Sequence, residues 1–224
     1  MAHEENKAFL RRVPLFSGLT EPQLENLAGG SARRSYPKGR TIVAEGEPSQ
    51  SMYILLAGRA KVQRSDSEGK EVILAVLSSG EFFGEMSLID DAPRSASVIT
   101  LEPCEFMAVS KEAFKAMLVQ SPEVTMAVMR GLVRRLREAD KKIETLALLD
   151  VYGRVARVLL DFSELVGSER IVKNKLPRQE IAKMIGASRE MVSRVMKGLE
   201  IDGYIVPMPE GKLVLREKLS NYIS

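Results

Sequence analysis

The sequence predicts an α+β chain: an antiparallel, jelly-roll-like β-roll, then one long helix, then a winged helix-turn-helix. Three observations predict it. Short β-type runs separated by glycines fill residues 31–110. Apolar residues recur at alternating spacings of three and four from Met129 to Leu146. Two short amphipathic stretches flank Gly186-Ala187-Ser188. The 224 residues suffice for one large domain or two small ones with ordinary buried cores.

The chain opens with a short helical stretch over 14–27, in which Thr20 is placed to cap and Gln23 stands at the third helical position. The β-type runs follow at 41–44, 52–56, 60–63 and 72–77, punctuated by Gly39, Gly46, Gly58, Gly69, Gly80 and Gly84. Closely spaced short strands with glycine turns predict a compact antiparallel barrel or roll.

Ser121-Pro122-Glu123 announces the long helix, with a capping hydroxyl, a proline that needs no partner for its missing N–H, and an acid near the positive helix end. Met129, Leu132, Leu136, Ala139, Ile143 and Leu146 follow the heptad spacing of a coiled-coil seam, while Arg130, Arg134, Arg135, Arg137, Lys141 and Lys142 lie mostly off it. A homodimer along this helix is the expectation. A helix packed on its own domain is the alternative.

A further helix over 152–165 is expected, and then the segment 177–200. Ile181, Ala182 and Ile185 form one apolar face, and Val192, Val195, Met196 and Leu199 another. Gly186 suits a left-handed helix exit, and Ser188 suits the cap of the next helix. Two short helices joined by such a turn make a helix-turn-helix, and the polar first turns of the second, with Arg189, Glu190, Ser193 and Arg194, suit a major groove better than a plain helical hairpin does. Strand-like residues 204–206 and 212–215 around a Pro/Gly turn predict a small wing.

Composition excludes much. One Cys (Cys104) rules out an intrachain disulfide framework and any multi-cysteine zinc or iron–sulfur site, and one His (His3) leaves little histidine chemistry. No phosphate-loop lysine motif appears, so an enzyme is not expected. No apolar run reaches the roughly 18 residues that span a bilayer, and the first residues are charged where a signal peptide would be apolar; a soluble, cytoplasmic protein is expected. The net charge of +3 is small but unevenly placed: residues 170–197 hold eight basic side chains and two acids. A solvated helix face is the usual reading of such a cluster, and a polyanion partner is the sharper one.

One stretch carries ligand chemistry: Phe82-Phe-Gly-Glu-Met-Ser-Leu-Ile-Asp-Asp-Ala-Pro-Arg-Ser-Ala-Ser-Val98. The glycine turn offers backbone amides, and Arg94 beside Ser95 offers a forked cation with a hydroxyl, which together suit a phosphate. Glu85 would repel that phosphate but suits a sugar hydroxyl at the other edge of the same ligand. A phosphate and a ribose hydroxyl held together indicate a nucleotide. The plain structural alternative is a Glu85–Arg94 ion pair across the turn.

This stretch resembles the phosphate-binding cassette of cyclic-nucleotide-binding domains. With the roll glycines, the long helix and the helix-turn-helix in that order, residues 15–220 resemble the CRP/FNR family of bacterial transcription regulators. The resemblance implies a cyclic-nucleotide-binding roll over 1–120, a dimerisation helix over 121–149 and a DNA-binding domain over 150–224. It implies that Glu85 meets the ribose 2′-hydroxyl, that Arg94, Ser95 and the backbones of Gly84 and Met86 meet the cyclic phosphate, and that Ser87, Ala96 and Arg135 complete the site. The effector expected first is cyclic AMP, with cyclic GMP or cyclic di-GMP as alternatives. Members that bind cyclic AMP meet the adenine with a Thr-Ser pair on the dimer helix, and here Ala139 and Asp140 stand in its place. A carboxylate at position 140 suits guanine, which presents adjacent N–H donors where adenine presents only its amino group. Gas-sensing members use cysteine clusters or haem-ligating histidines; Cys104 and His3 are read as incidental.

On DNA, Arg189 and Arg194 each present a fork to guanine O6/N7, and Glu190 accepts from a cytosine amino group. In similar regulators Arg-Glu-x-x-x-Arg reads a TGTGA-like half-site and Glu-x-x-Ser-Arg a TTGAT-like one; residues 189–194 satisfy both, and Arg189 favours the first. Arg178 and Lys197 are assigned to phosphates, with Gln179, Ser188 and Ser193 beside them. The expected partners are a double-stranded palindromic operator, a second copy of the chain and RNA polymerase, with no metal and no membrane. DNA binding without nucleotide, or inhibition by cyclic di-GMP, are the competing readings.

Overall fold

The structure, a computed structural model, describes residues 2–11 and 13–223, with the side chain of His3 outside the described residues. Its elements in chain order are α1 (Ala2–Leu10), α2 (Glu21–Gly29), β1 (Ser31–Tyr36), β2 (Thr41–Val43), β3 (Ser51–Ala57), β4 (Ala60–Ser65), β5 (Glu71–Leu77), β6 (Phe82–Phe83) and α3 (Met86–Ile89). There follow β7 (Ser97–Thr100), β8 (Cys104–Ser110), α4 (Lys111–Gln120), α5 (Pro122–Leu148), α6 (Val151–Asp161), β9 (Glu164–Val166), β10 (Glu169–Val172), α7 (Arg178–Ile185), α8 (Arg189–Ile201), β11 (Ile205–Pro207) and β12 (Leu213–Leu215). They gather into two compact units, residues 1–69 with 73–135, and residues 70–72 with 136–224.

The first unit is the roll, built from two antiparallel sheets ordered β1-β8-β3-β6 and β2-β7-β4-β5. Strand β3 is buried on both faces, which is why its sequence is a nearly unbroken apolar run instead of an alternation. Met52, Ile54 and Leu56 point to a core shared with Phe16, Leu24 and Phe114 of the helical layer, while Leu55 points into the roll beside Phe83, Val98 and Phe106. Phe106 is fully buried and holds edge-on contacts with Tyr36, Tyr53 and Phe83 at centroid distances of 5.9, 6.5 and 5.8 Å. The predicted start of α2 is observed: the Thr20 backbone N–H donates to Gln23 Oε1 at 2.9 Å. Cys104 lies buried in β8 with Sγ 3.2 Å from the Arg59 carbonyl, and burial pushes its thiol pKa up.

Helix α5 starts as its sequence announces, with Ser121 Oγ accepting from the Val124 N–H at 3.4 Å. Its apolar stripe differs from the expected seam. Leu132 is half-buried against the roll core, while Met126, Met129, Val133, Leu136, Ile143 and Leu146 are exposed. The open stripe therefore steps Met126, Met129, Val133, Leu136, Asp140, Ile143, and Ala139 flanks it. Met129, Leu136 and Ile143 belong to both the expected seam and this stripe, while Leu132 is taken by the chain's own core, which spacing alone does not show.

The second unit is a helical core with a four-stranded sheet ordered β11-β12-β10-β9. The helix expected over 152–165 ends at Asp161. The Leu160 carbonyl is taken by the Ser163 N–H and hydroxyl, at 3.1 and 2.7 Å, and residues 164–166 turn back as β9 of a hairpin with β10. All seven predicted apolar residues of the helix-turn-helix are buried in one cluster with Val155, Leu159 and Leu215. Gly186 ends α7 in the left-handed region at φ 66°, which a Cβ would make costly, and Ser188 Oγ accepts from the Met191 N–H at 3.1 Å to cap α8. Tyr222 stacks on Tyr152 at 5.8 Å and meets Tyr204 edge-on at 5.2 Å, which pins the last turn of the chain to this core.

Candidate functional site

The cassette turn is built around Gly84, whose φ of 84° favours glycine. A Cβ there would fall 2.2 Å from Arg94 Nη1. Arg94 is buried; Nη1 donates to the Gly84 carbonyl at 3.0 Å and Nη2 to the Ser51 carbonyl at 2.5 Å, with the guanidinium 5.9 Å from the Tyr53 ring centroid. Burial is the first cause that lowers its pKa, although arginine stays charged through the working range.

Glu85 is completely buried, and it does not pair with Arg94. Its Oε1 accepts from Arg135 Nη1 at 2.5 Å, while Oε2 has no hydrogen-bond partner. Arg135 comes from α5, also donates to the Phe82 carbonyl, and lies 4.9 Å from the Phe82 ring centroid. Gly131, one turn earlier, allows this approach, because a Cβ there would fall 2.8 Å from Phe82 Cζ. Burial drives the Glu85 pKa up, and Arg135 first and then Arg94 oppose the shift. A buried carboxylate oxygen without a donor is an unmet demand that a ligand hydroxyl satisfies. Cation, glycine turn and unmatched acceptor thus fit a sugar phosphate.

The structure brings together Gly84, Glu85, Ser87, Arg94 and Arg135. Ser87 is buried and donates to the Pro93 carbonyl at 3.2 Å. Met86 and Ser95 are exposed and Ala96 is buried. Ala139 and Asp140 are exposed further along α5 and belong to the second unit. Ser51, Tyr53, Phe82 and Gly131 were not legible as site residues, since each acts through a long-range contact or its backbone. Among the described residues no group of three or more His, Cys, Asp or Glu is placed to hold a metal ion.

On the second unit, Gln179, Ser188, Arg189, Glu190, Arg194 and Lys197 are exposed and Ser193 is half-buried. Arg178, assigned from the sequence to a phosphate, is exposed and lies 3.6 Å from Glu200 on the last turn of α8, a partner that local spacing does not show. An open cleft of about 680 Å³ between the helix-turn-helix and the wing is edged by Lys175, Arg178, Arg189 and Lys212. Arg154 Nη1 donates to the Ile185 carbonyl at 3.0 Å and so ties α6 to the end of α7. No helix among the described residues is long and apolar enough to cross a membrane.

A nucleotide-type cassette in a β-roll, followed by a helix-turn-helix, defines a ligand-responsive DNA-binding regulator. Residues 33–121 match the cyclic nucleotide-binding domain family, and residues 153–222 match the Crp-like helix-turn-helix domain family. The CRP-like cAMP-activated global transcriptional regulator of Mycobacterium tuberculosis is 32% identical over 92% of this chain and 93% of its own. The cyclic AMP receptor protein of Thermus thermophilus is 35% identical over 93% of this chain and 94% of its own. Among solved structures, the c-di-GMP responsive regulator CLP of Xanthomonas campestris superimposes with a TM-score of 0.75 at 29% identity, covering 88% of this chain and 99% of that one. The Thermus thermophilus catabolite activator protein gives a TM-score of 0.53 at 33% identity, over 94% and 100%. The chain belongs to the CRP/FNR family of cyclic-nucleotide-responsive transcription regulators, a family of regulators and not of enzymes.

Proposed function

We propose that the chain is a homodimeric regulator that binds a palindromic DNA operator when a cyclic nucleotide, cyclic AMP by preference, fills the cassette. The observation that carries the reading is Glu85 Oε2, buried and without a donor beside the Gly84 turn and the Arg94 guanidinium. In this reading Glu85 accepts the ribose hydroxyl, Arg94 and Ser95 hold the phosphate with the amides at Gly84 and Met86, and Ser87 and Ala96 shape the turn. Arg135 relays occupancy to α5, and Ala139 and Asp140 face the base. Two copies join along Met129, Leu136 and Ile143, so that two α8 helices meet half-sites about one helical turn apart. The physical requirement is that the ligand interacts differently with two arrangements of the dimer, and a site fastened to the dimer helix supplies the means. The division into 1–120, 121–149 and 150–224, a cytoplasmic location and contact with RNA polymerase belong to the same reading.

A second reading is that cyclic di-GMP is the effector and weakens DNA binding. The acceptor pair of Asp140 and the likeness to a regulator described as c-di-GMP responsive favour it. Calorimetry with cyclic AMP, cyclic GMP and cyclic di-GMP separates the two. Preference for cyclic AMP that Asp140→Ala leaves unchanged supports the first, and preference for a guanine nucleotide that Asp140→Ala abolishes supports the second.

A further inference from the structure

Helix α8 exposes polar side chains wherever it faces away from its core, with one exception in its first two turns. Met191 is 38% exposed, whereas Val192, Val195 and Met196 are buried. Its backbone is fixed: the Met191 N–H is the one that Ser188 Oγ caps, so the residue sits at the third position of the helix. At about 100° per residue, Met191 lies about 60° around the helix from Arg194 and about 100° from Glu190, on the edge opposite Arg189. Residues three apart on a helix have Cβ atoms about 5–6 Å from each other, so Met191 and Arg194 address neighbouring positions along whatever the helix meets.

An isolated exposed methionine on a protein surface is ordinary. This one stands among the side chains proposed to read base edges, where a thioether gains nothing from a phosphate. The major groove offers one apolar group, the C5-methyl of thymine, and a flexible, polarizable side chain suits it. We propose that Met191 packs on a thymine methyl at the base pair beside the guanine read by Arg194, and is therefore a specificity-determining residue of the half-site. The proposal rests on the reading in which α8 enters the major groove.

The test uses the full-length protein and the operator recovered by binding-site selection from random duplexes, run with cyclic AMP and without nucleotide. Each thymine of that operator is replaced in turn by deoxyuridine, which deletes only the methyl, and affinity is measured by fluorescence anisotropy. Wild type is expected to lose about four-fold per half-site at one thymine position, or about fifteen-fold when both half-sites are changed, the value of burying one methyl-sized group. Met191→Ala is expected to bind the thymine duplex as weakly as wild type binds the uracil duplex, and to be indifferent to the replacement at that position. Met191→Leu keeps the sensitivity. Equal affinity of wild type and Met191→Ala for the uracil duplex shows that the variant is folded. Wild type indifferent to every replacement, or Met191→Ala retaining the full penalty, overturns the proposal while leaving DNA reading by α8 intact. Failure to select any sequence overturns that underlying reading instead.

Discussion

The half-buried Arg135 and the fully buried Glu85 form an ion pair that fastens the long helix α5 to the cassette, with the same guanidinium resting over the Phe82 ring. The pair is half satisfied on the acidic side, because Oε2 has no donor. The cassette thereby joins the ligand site to the helix proposed to carry the dimer.

Deleting one partner of such a pair strands the other. Arg135→Leu leaves the fully buried Glu85 without its counter-ion and is expected to cost about 3–5 kcal/mol in urea unfolding. Glu85→Gln removes the buried charge and is expected to cost less than half as much, while nucleotide binding falls at least ten-fold.

The raised Glu85 pKa has a pH signature. Burial favours the protonated acid, so the native state holds this proton above the ordinary glutamate range, and the apo protein loses stability as pH rises through the interval between the unfolded and folded values. A ligand hydroxyl binds the ionised carboxylate more strongly than the protonated acid. Nucleotide affinity is therefore expected to weaken as pH falls through the folded Glu85 value, and Glu85→Gln to abolish that slope. Calorimetry across mildly acidic to neutral pH is the measurement.

Gly84→Ala places a Cβ 2.2 Å from Arg94 Nη1 in a left-handed backbone. Conformational strain of about 1–2 kcal/mol adds to the displaced guanidinium. Nucleotide binding is expected to be lost with a moderate fall in thermal stability, read by calorimetry and differential scanning on the same sample.

The open stripe of α5 has a direct test. Leu136→Arg or Ile143→Arg puts a charge on an exposed side chain that the folded chain does not need. Both are expected to leave unfolding of the monomer within about 0.5 kcal/mol and to shift sedimentation from dimer to monomer. Leu132→Arg is expected to unfold the roll instead, since Leu132 packs on its core.

Phosphate and base contacts separate by salt. Lys197→Gln is expected to weaken operator binding uniformly across sequences and to lower the slope of log K against log salt by about 0.9 per half-site. Glu190→Ala is expected to leave the slope unchanged and to relax the choice of one base pair. Anisotropy titrations at several salt concentrations read both.

What was legible in the sequence followed from local chemistry. Gly186, Ser188 and the apolar faces of α7 and α8 are each specified within a few residues, and all are observed as read. The cassette motif likewise placed Gly84, Glu85 and Arg94 in one turn. Arg135 was placed in the site by resemblance, but its pairing with Glu85 and the Arg94 bond to the Ser51 carbonyl were not legible, the latter because that carbonyl lies 43 positions away and has no side-chain signature. Of the expected α5 seam, Leu132 packs on the roll core through contacts that spacing does not record, while Met129, Leu136, Ala139, Ile143 and Leu146 are exposed. The helix expected over 152–165 takes in Glu164 and Leu165 of β9, because the Ser163 hydrogen bonds to the Leu160 carbonyl and the pairing of β9 with β10 have no signature in local spacing.

In the proposed function, filling the cassette changes how α8 meets DNA. Fluorescence anisotropy on a TGTGA-type palindrome, with and without saturating cyclic AMP, tests it most directly. Binding at least ten-fold tighter with cyclic AMP is expected, with that gain lost in Glu85→Gln and Arg94→Gln. An affinity that is the same with cyclic AMP, cyclic GMP, cyclic di-GMP and no nucleotide would contradict it.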